Sequence, residues 1–302
     1  MKKEVEVSLD GRSLRLSNLD KILYPETGFT KAQVIDYYTR VAPVILPHLR
    51  GRPLTLKRYP DGVGGEFFYE KECPSYRPSW IKTAPIPLEE ENRVVNFCLV
   101  NDLPSLVWAA NLADLEMHTS LSLAKDIDRP TTMVFDLDPG APATIVDCAR
   151  VGIQLRRMLA QLSLESFAKT SGGKGLQIYV PLNTAVDYDA AKSMALALAN
   201  LLEKYYPDQA TSNMAKSVRP GKVFVDWSQN DRHKTTVCVY SLRARERPLV
   251  STPVKWEEVE KAVEKSDAGL LLFDSEQVLK RVSRFGDLFA PVLKLKQKLP
   301  VL

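Results

Sequence analysis

Histidine is scarce in this chain, limited to His48, His118 and His233, and its four cysteines, Cys73, Cys98, Cys148 and Cys238, form no C-x-x-C pair. The spacing signatures of a zinc site and of a disulfide framework are therefore missing, and the expectation is four reduced thiols in a cytosolic protein. No apolar run approaches the roughly 20 residues that span a bilayer. The opening MKKEVEVSLDG has no apolar stretch of signal-peptide type. G-x-S-x-G is absent, so no hydrolase triad is suggested, and neither the dinucleotide fingerprint G-x-G-x-x-G nor a Walker A loop occurs. Internal repeats and low-complexity linkers are missing too. With 45% hydrophobic and 26% charged residues over 302 positions, the composition is that of a soluble globular protein.

Net charge is only +4, but it is unevenly spread. Lys204 to Arg247 holds nine basic and four acidic residues, and Arg50 to Lys82 holds seven and four. Two basic segments fit a phosphate-rich partner, or else a solvated basic face without function.

Along the chain, Val5, Val7 and Leu9 alternate with polar residues, Asp10-Gly11 offers a turn, and Leu14 and Leu16 alternate on the return, which predicts a hairpin. Thr30 and Gln33 form a capping-box pair ahead of a helix, which Pro43 and Pro47 are expected to bend or end. Strands are expected in RPLTLKRY, GGEFFYE, RVVNFCLV, TTMVFDLD, ESFAKT, LQIYVPL, KVFVDW and TTVCVYSL. Helices are expected over Leu103–Leu115, Ile145–Leu162, Asp187–Tyr205, near Glu257–Val263 and over Ser275–Phe289. The expected architecture is one domain over 1–302 of mixed α/β class: a hairpin over 1–16 in an N-terminal subdomain of strands and short helices, a core over 17–290, and a basic tail over 291–302.

Four constellations could carry chemistry. Asp136 and Asp138 end the apolar run MVF, and residues i and i+2 of a strand project to one face. Two carboxylates so placed repel unless a cation such as Mg²⁺ or Mn²⁺ lies between them, although solvated turn aspartates have the same pattern. Lys169-Thr170-Ser171-Gly172-Gly173-Lys174-Gly175-Leu176 lies between two strands, and its glycines, the Ser171 hydroxyl and the Lys174 ammonium suit an anion as well as a tight connection. Asp226 ends another apolar strand and would complete a two-metal site, amid Arg219, Lys222, Lys234, Arg243 and Arg245. Phe67-Phe68 stands beside Lys57 and Arg58, either with one ring exposed for base stacking or with both in the core around a bulge. Together these features describe a metal-dependent phosphoryl or nucleotidyl transferase.

The motifs LDKILYP, LKRYPDG, FFYEK, LEMH, VFDLDPG, TSGGKGL and KVFVDWSQN followed by KTTVCVYSLRAR closely resemble the polymerase domain of bacterial ATP-dependent DNA ligase D, a member of the archaeo-eukaryotic primase superfamily. The resemblance runs in matching order from about Leu16 to Phe289. It implies a primase-like catalytic core with mixed or antiparallel sheets flanked by helices. It also implies a template-dependent nucleotidyltransferase that fills short gaps at double-strand-break ends in non-homologous end joining, with a preference for ribonucleotides. Two divalent cations, Mn²⁺ or Mg²⁺, would sit on Asp136, Asp138 and Asp226, with an NTP or dNTP as substrate. Lys57, His118, Ser171, Gly172, Gly173, Lys174, Gln177, Lys234 and Arg243 would hold the nucleotide. Lys21 and Lys31 would hold the 5′-phosphate of a gapped, nicked or 3′-overhanging DNA end, and Phe67, Phe68, Arg219 and Gln229 would contact primer and template.

One departure stands out: the family pattern places histidine where this chain has Gln177. Glutamine can donate a hydrogen bond but carries no charge, so Lys234 or Arg243 would have to compensate. Ku and an ATP-dependent ligase are the implied partners, with no membrane, and the implied location is cytoplasmic, at the nucleoid. The K-x-D-G of a ligase is absent, so the chain is expected to be a free-standing polymerase or an excised domain. Two other readings stay open: an end-bridging module that catalyses little, and a primase that starts strands without a primer.

Overall fold

The computed structural model describes residues 4–88 and 92–300, leaving the first three residues of the expected hairpin segment and the last two of the expected tail outside it. The chain divides into two compact units. Unit 1 comprises Met1–Ser120, Thr235–Val250 and Asp274–Gly286, and unit 2 comprises Leu121–Lys234, Ser251–Phe273 and Asp287–Leu302.

Unit 1 opens with the expected hairpin, β1 (Glu4–Leu9) antiparallel to β2 (Arg12–Ser17). Its turn residues Asp10 and Gly11 both have positive φ, 49° and 74°, as a tight primed turn needs. A short ladder of β3 (Ile22–Tyr24) and β4 (Phe29–Thr30) feeds α1 (Lys31–Leu49), which carries the Thr30–Gln33 capping box. Of the two expected outcomes, bending or ending, ending is excluded: the helix runs through both Pro43 and Pro47. Each interior proline removes one backbone donor and costs about 3 kcal/mol. The buried stripe Val34, Tyr37, Tyr38, Val41 and Ile45 outweighs that cost through packing.

Strands β5 (Leu54–Arg58), β6 (Phe68–Glu70), β7 (Thr83–Leu88), β8 (Arg93–Cys98), β9 (Asp114–Thr119) and β17 (Thr236–Val237) form one sheet in the order β17-β9-β5-β8-β7, with β6 on β5. β7 was not expected from TAPIPL, yet at a sheet edge Pro85 and Pro87 need no donors on the outer side. The helix expected to reach Leu115 stops earlier: α2 is Leu103–Asn111, and Ala113, at φ 58°, turns the chain into β9. Only two residues of TTVCVYSL are strand, because Tyr240, at φ 66°, breaks the extended run. α6 (Ser275–Phe285) ends at Gly286, short of Phe289. The expectation of four free thiols is also corrected. Cys73 and Cys98 form a disulfide with a Cα–Cα distance of 4.9 Å, because the Cys73 amide docks on the Asn96 carbonyl beside β8. Cys148 and Cys238 are buried and lie outside any disulfide.

In unit 2, β10 (Ser122–Leu123) pairs with β11 (Asp126–Pro130). A second sheet has the order β15-β16-β12-β14-β13-β18. It is built from β12 (Thr132–Pro139), β13 (Phe167–Thr170), β14 (Leu176–Pro181), β15 (Ala210–Thr211), β16 (Val223–Asp226) and β18 (Pro253–Val254). β15 runs parallel to β16 and the other ladders are antiparallel. Met133, Phe135 and Leu137 of β12, Leu176, Ile178 and Val180 of β14, and Val223 and Val225 of β16 share one hydrophobic core with α3 (Ile145–Gln161), α4 (Tyr188–Tyr205) and α5 (Trp256–Lys265). Period-2 alternation then sends Asp136, Asp138, Gln177 and Asp226 to the opposite face. Within the expected tail, Val292 is buried and Gln297 is tied by hydrogen bonds to Glu165, Pro181 and Leu182. The whole is mixed α/β, with antiparallel and mixed sheets flanked by helices, as expected. Among the described residues no helix is long and apolar enough to cross a membrane.

Candidate active site

Register sets the first cluster, in unit 2. Lys169 lies opposite Gln177, Gln177 opposite Asp136, and Asp136 opposite Asp226, so one row crosses four strands, β13, β14, β12 and β16. Asp138 lies two residues beyond Asp136 on the same face. The carboxylates are held in place by neighbours. The Gln177 amide nitrogen donates to Asp136 Oδ2 at 2.8 Å, Ser228 donates to Asp226 Oδ1 through its amide (2.9 Å) and hydroxyl (2.6 Å), and Gln229 donates to Asp226 Oδ2 at 3.0 Å. Lys234 reaches Asp226 indirectly, donating to the Ser228 hydroxyl at 2.6 Å. Asn230 clamps this loop onto β12 by bonding both the amide and the carbonyl of Val134.

Asp136 Oδ1 is shut off from solvent and has no hydrogen-bond partner. Burial, then the neighbouring Asp138 and more weakly Asp226, push the Asp136 carboxyl up to about 7, against the opposing pull of Gln177 and Lys169. An orphaned carboxylate oxygen among like charges is what a hard divalent cation would satisfy, and the oxygen donor set suits Mg²⁺ or Mn²⁺. Among the described residues no three His, Cys, Asp or Glu side chains are yet grouped closely enough to hold an ion. In this arrangement Gln177 holds one oxygen of Asp136, and Ser228 and Gln229 hold both oxygens of Asp226.

The glycine loop between β13 and β14 is closed by Ser171 and Gly175: the Ser171 amide donates to the Gly175 carbonyl, and the Gly175 amide donates to Ser171 Oγ. A Cβ on Gly175 would lie 2.6 Å from the Leu137 carbonyl, so glycine lets the loop close onto the end of β12 beside Asp138. Gly172 and Gly173 form the bend, and Lys174 is exposed. On the other side, a Cβ on Gly140 would lie 2.1 Å from the Arg219 carbonyl. That close approach seats Arg219, whose guanidinium lies 3.7 Å from the ring centroid of Phe224 and donates to the Met214 carbonyl.

The second cluster lies in unit 1 and centres on a residue that motif reading passed over. Glu116 of β9 is 1% exposed. Lys57 Nζ stands 3.3 Å, His118 Nε2 3.1 Å and Arg243 Nε 3.4 Å from its Oε2, while the Ala244 amide donates to Oε1 at 3.0 Å. Burial alone would raise this carboxyl, but His118, Arg243 and Lys57 together hold it far below the usual carboxylate range. Burial, reinforced by Arg243 and Lys57 against the opposing Glu116, keeps His118 below its ordinary value and hence neutral at pH 7. Lys57 lies over the rings of Phe67 (4.7 Å), Tyr69 (5.3 Å) and Tyr59 (5.4 Å). Phe67 and Phe68 are both about half exposed, 49% and 54%, which removes the reading of two core rings. β6 begins only at Phe68, so Phe67 is free of the alternation rule.

Lys21 and Lys31 are brought together by the β3–β4 ladder, where the Lys31 amide donates to the Lys21 carbonyl. Lys21 is exposed and paired with Asp61 at 2.7 Å. Lys31 is 6% exposed and donates to the Ser17 carbonyl. Burial, with the charges of Lys21 and Arg58, lowers its ammonium to about 8. Glu116, Lys169 and Ser228 are the residues that sequence reading missed. The one signal for Glu116 was its place in LEMH, and nothing local marked Lys169 as buried.

The model of the LigD primase-polymerase domain family matches residues 30–289. The multifunctional non-homologous end joining protein LigD of Mycolicibacterium smegmatis is 41% identical over 281 residues, covering 92% of this chain and 36% of that protein. The bifunctional LigD of Bacillus subtilis is 29% identical over 274 residues, covering 90% and 43%. The chain thus spans less than half the length of these curated relatives. The solved polymerase domain of Mycobacterium tuberculosis ligase D, in complex with DNA, aligns with a TM-score of 0.85 at 38% identity, covering 94% of this chain and 99% of that one. The chain belongs to the LigD primase-polymerase domain family.

Proposed function

We propose that this chain is a template-dependent nucleotidyltransferase that fills short gaps at the ends of broken DNA during non-homologous end joining. The observation that carries the reading is the meeting of Asp136 and Asp226 in one cross-strand pair, with Asp138 beside them and the buried Oδ1 of Asp136 unsatisfied. Asp136, Asp138 and Asp226 hold two divalent cations, Mn²⁺ or Mg²⁺. When bound, the pair supplies charge neutralisation for attack of a primer 3′-hydroxyl on the α-phosphate of an NTP or dNTP and for departure of pyrophosphate.

The chain's own residues do the rest. Gln177, Ser228 and Gln229 orient the carboxylates. In unit 1, Lys57, Arg243 and neutral His118, gathered on Glu116, are nucleotide-binding residues; in unit 2, the Ser171-Gly172-Gly173 bend, Lys174 and Lys234 have that role. Lys21 and Lys31 take the 5′-phosphate through charge, independently of sequence. Phe67 and Phe68 offer stacking faces to nucleic acid, and Arg219 contacts primer or template. Ribonucleotide preference, Ku and an ATP-dependent ligase as partners, and a cytoplasmic location at the nucleoid extend the same reading.

The test is primer extension on a gapped duplex bearing a 5′-phosphate, with Mn²⁺ and either ribo- or deoxyribonucleotides, beside the Asp136→Ala variant. Template-directed addition that disappears in the variant supports the reading. End binding without addition replaces it with an end-bridging module, and synthesis without a primer replaces it with a primase.

A further inference from the structure

Lys169 is fully buried and sits at the end of the row that reaches the catalytic carboxylates. Its ammonium donates to Gln177 Oε1 and, at 2.7 Å, to Ser251 Oγ, which in turn donates to the Thr170 carbonyl. An ammonium has donors only, so the end of the Gln177 amide that faces it must be the oxygen. The amide nitrogen is thereby directed at Asp136 Oδ2, leaving Oδ1 as the oxygen without a partner. Packing alone would be served by an apolar side chain of similar length, because a wholly buried ammonium is costly to desolvate.

We propose that Lys169 is a positioning residue for Asp136, acting through Gln177: the Lys169–Gln177–Asp136 chain sets which carboxylate oxygen is open to a divalent cation. The compensating charge for the uncharged Gln177 is therefore Lys169. The two cations that sequence reading offered are engaged otherwise, Lys234 on Ser228 and Arg243 on Glu116. The inference rests on the reading of Asp136 as a metal ligand.

The test is calorimetric titration of Mn²⁺ into metal-free protein, without DNA or nucleotide, for the wild type and for Asp136→Ala, Lys169→Met, Gln177→Leu, the Lys169→Met/Gln177→Leu double variant and Gln177→His. Lys169→Met and Gln177→Leu are each expected to bind Mn²⁺ about tenfold more weakly, the lower end of what residues behind a metal ligand contribute. The double variant should lose no more than either single one, since both break the same chain. Gln177→His should retain near wild-type affinity, because an imidazole accepts from Lys169 with one nitrogen and donates to Asp136 with the other. Wild-type affinity in Lys169→Met, or losses that multiply in the double variant, overturns the proposal. Should Lys169→Met fail to fold, Gln177→Leu and Ser251→Ala carry the test, and unchanged affinity in both overturns it. Full binding by Asp136→Ala sinks the metal reading itself. Loss there with none in Lys169→Met sinks the positioning role alone.

Discussion

Glu116, fully buried, and Asp136, half-buried with its Oδ1 shut off from water, both lie on interior strands, yet their acidities move in opposite directions. Glu116 meets Lys57, His118 and Arg243 at one oxygen and stays ionised far into acid. Asp136 faces Asp138 and Asp226, with only Gln177 and the more remote Lys169 in support, and titrates near 7. Burial raises both, so the company each keeps decides the sign. Unit 1 holds a carboxylate already neutralised by the Lys57 and Arg243 cations, whereas unit 2 holds carboxylates short of positive charge.

The contrast can be broken in order of expected effect. On the proposed function, Asp136→Ala should lower gap-filling turnover by on the order of 10³-fold or more, since cations held there would supply several kcal/mol of transition-state stabilisation. Binding of DNA ends should change little, as a gel-shift assay alongside primer extension would show. Loss of both in parallel would break the proposed contrast between the two clusters. Glu116→Ala strands two cations, Lys57 and Arg243, beside a buried position and should cost about 3–5 kcal/mol of stability. Urea denaturation reads this, and a variant as stable as wild type would mean that water already screens the cluster.

The pH dependences should diverge as well. Asp136 in the folded protein keeps a proton that the unfolded chain releases near pH 4, so its stabilising contribution is present in acid and lost as pH rises through about 7. In EDTA, Asp136→Asn should therefore melt above wild type at pH 8, with the gap narrowing below pH 7 and closing by about pH 4. Glu116 has the opposite sign: its contribution is present above the ordinary glutamate range and is lost only as pH falls through its depressed folded value.

Phe68→Ala should weaken single-strand or end binding by about 1–3 kcal/mol with turnover at saturating DNA preserved, as titration by fluorescence anisotropy can check. The smallest effect concerns Lys31. Its ammonium titrates near 8, so preference for 5′-phosphorylated over 5′-hydroxyl ends should begin to fall as pH passes that value. Lys21→Ala should lower the same preference at neutral pH, whereas equal losses on both kinds of end would remove the phosphate-holding role.

Much of this was legible because it is local. Thr30 and Gln33 announce a helix start, Asp10-Gly11 a hairpin, and the alternation in VFDLD puts two carboxylates on one face whatever the rest of the fold does. Long motifs also carried the family. What stayed hidden depends on partners distant along the chain. Cys73 meets Cys98 across 25 residues, Glu116 meets Arg243 across more than a hundred, and the edge position that lets β7 tolerate Pro85 and Pro87 is a property of the sheet.

The amino-acid order thus settles which residues can be acid, base or anion holder, and on which side of a strand each must point, because those are properties of side chains and of backbone period. It could not settle that Lys169 lies buried against Gln177, or that one carboxylate is flooded with cations while another is starved of them. Those outcomes depend on strand register and burial, and an acidity or an amide orientation exists only once the neighbours are in place.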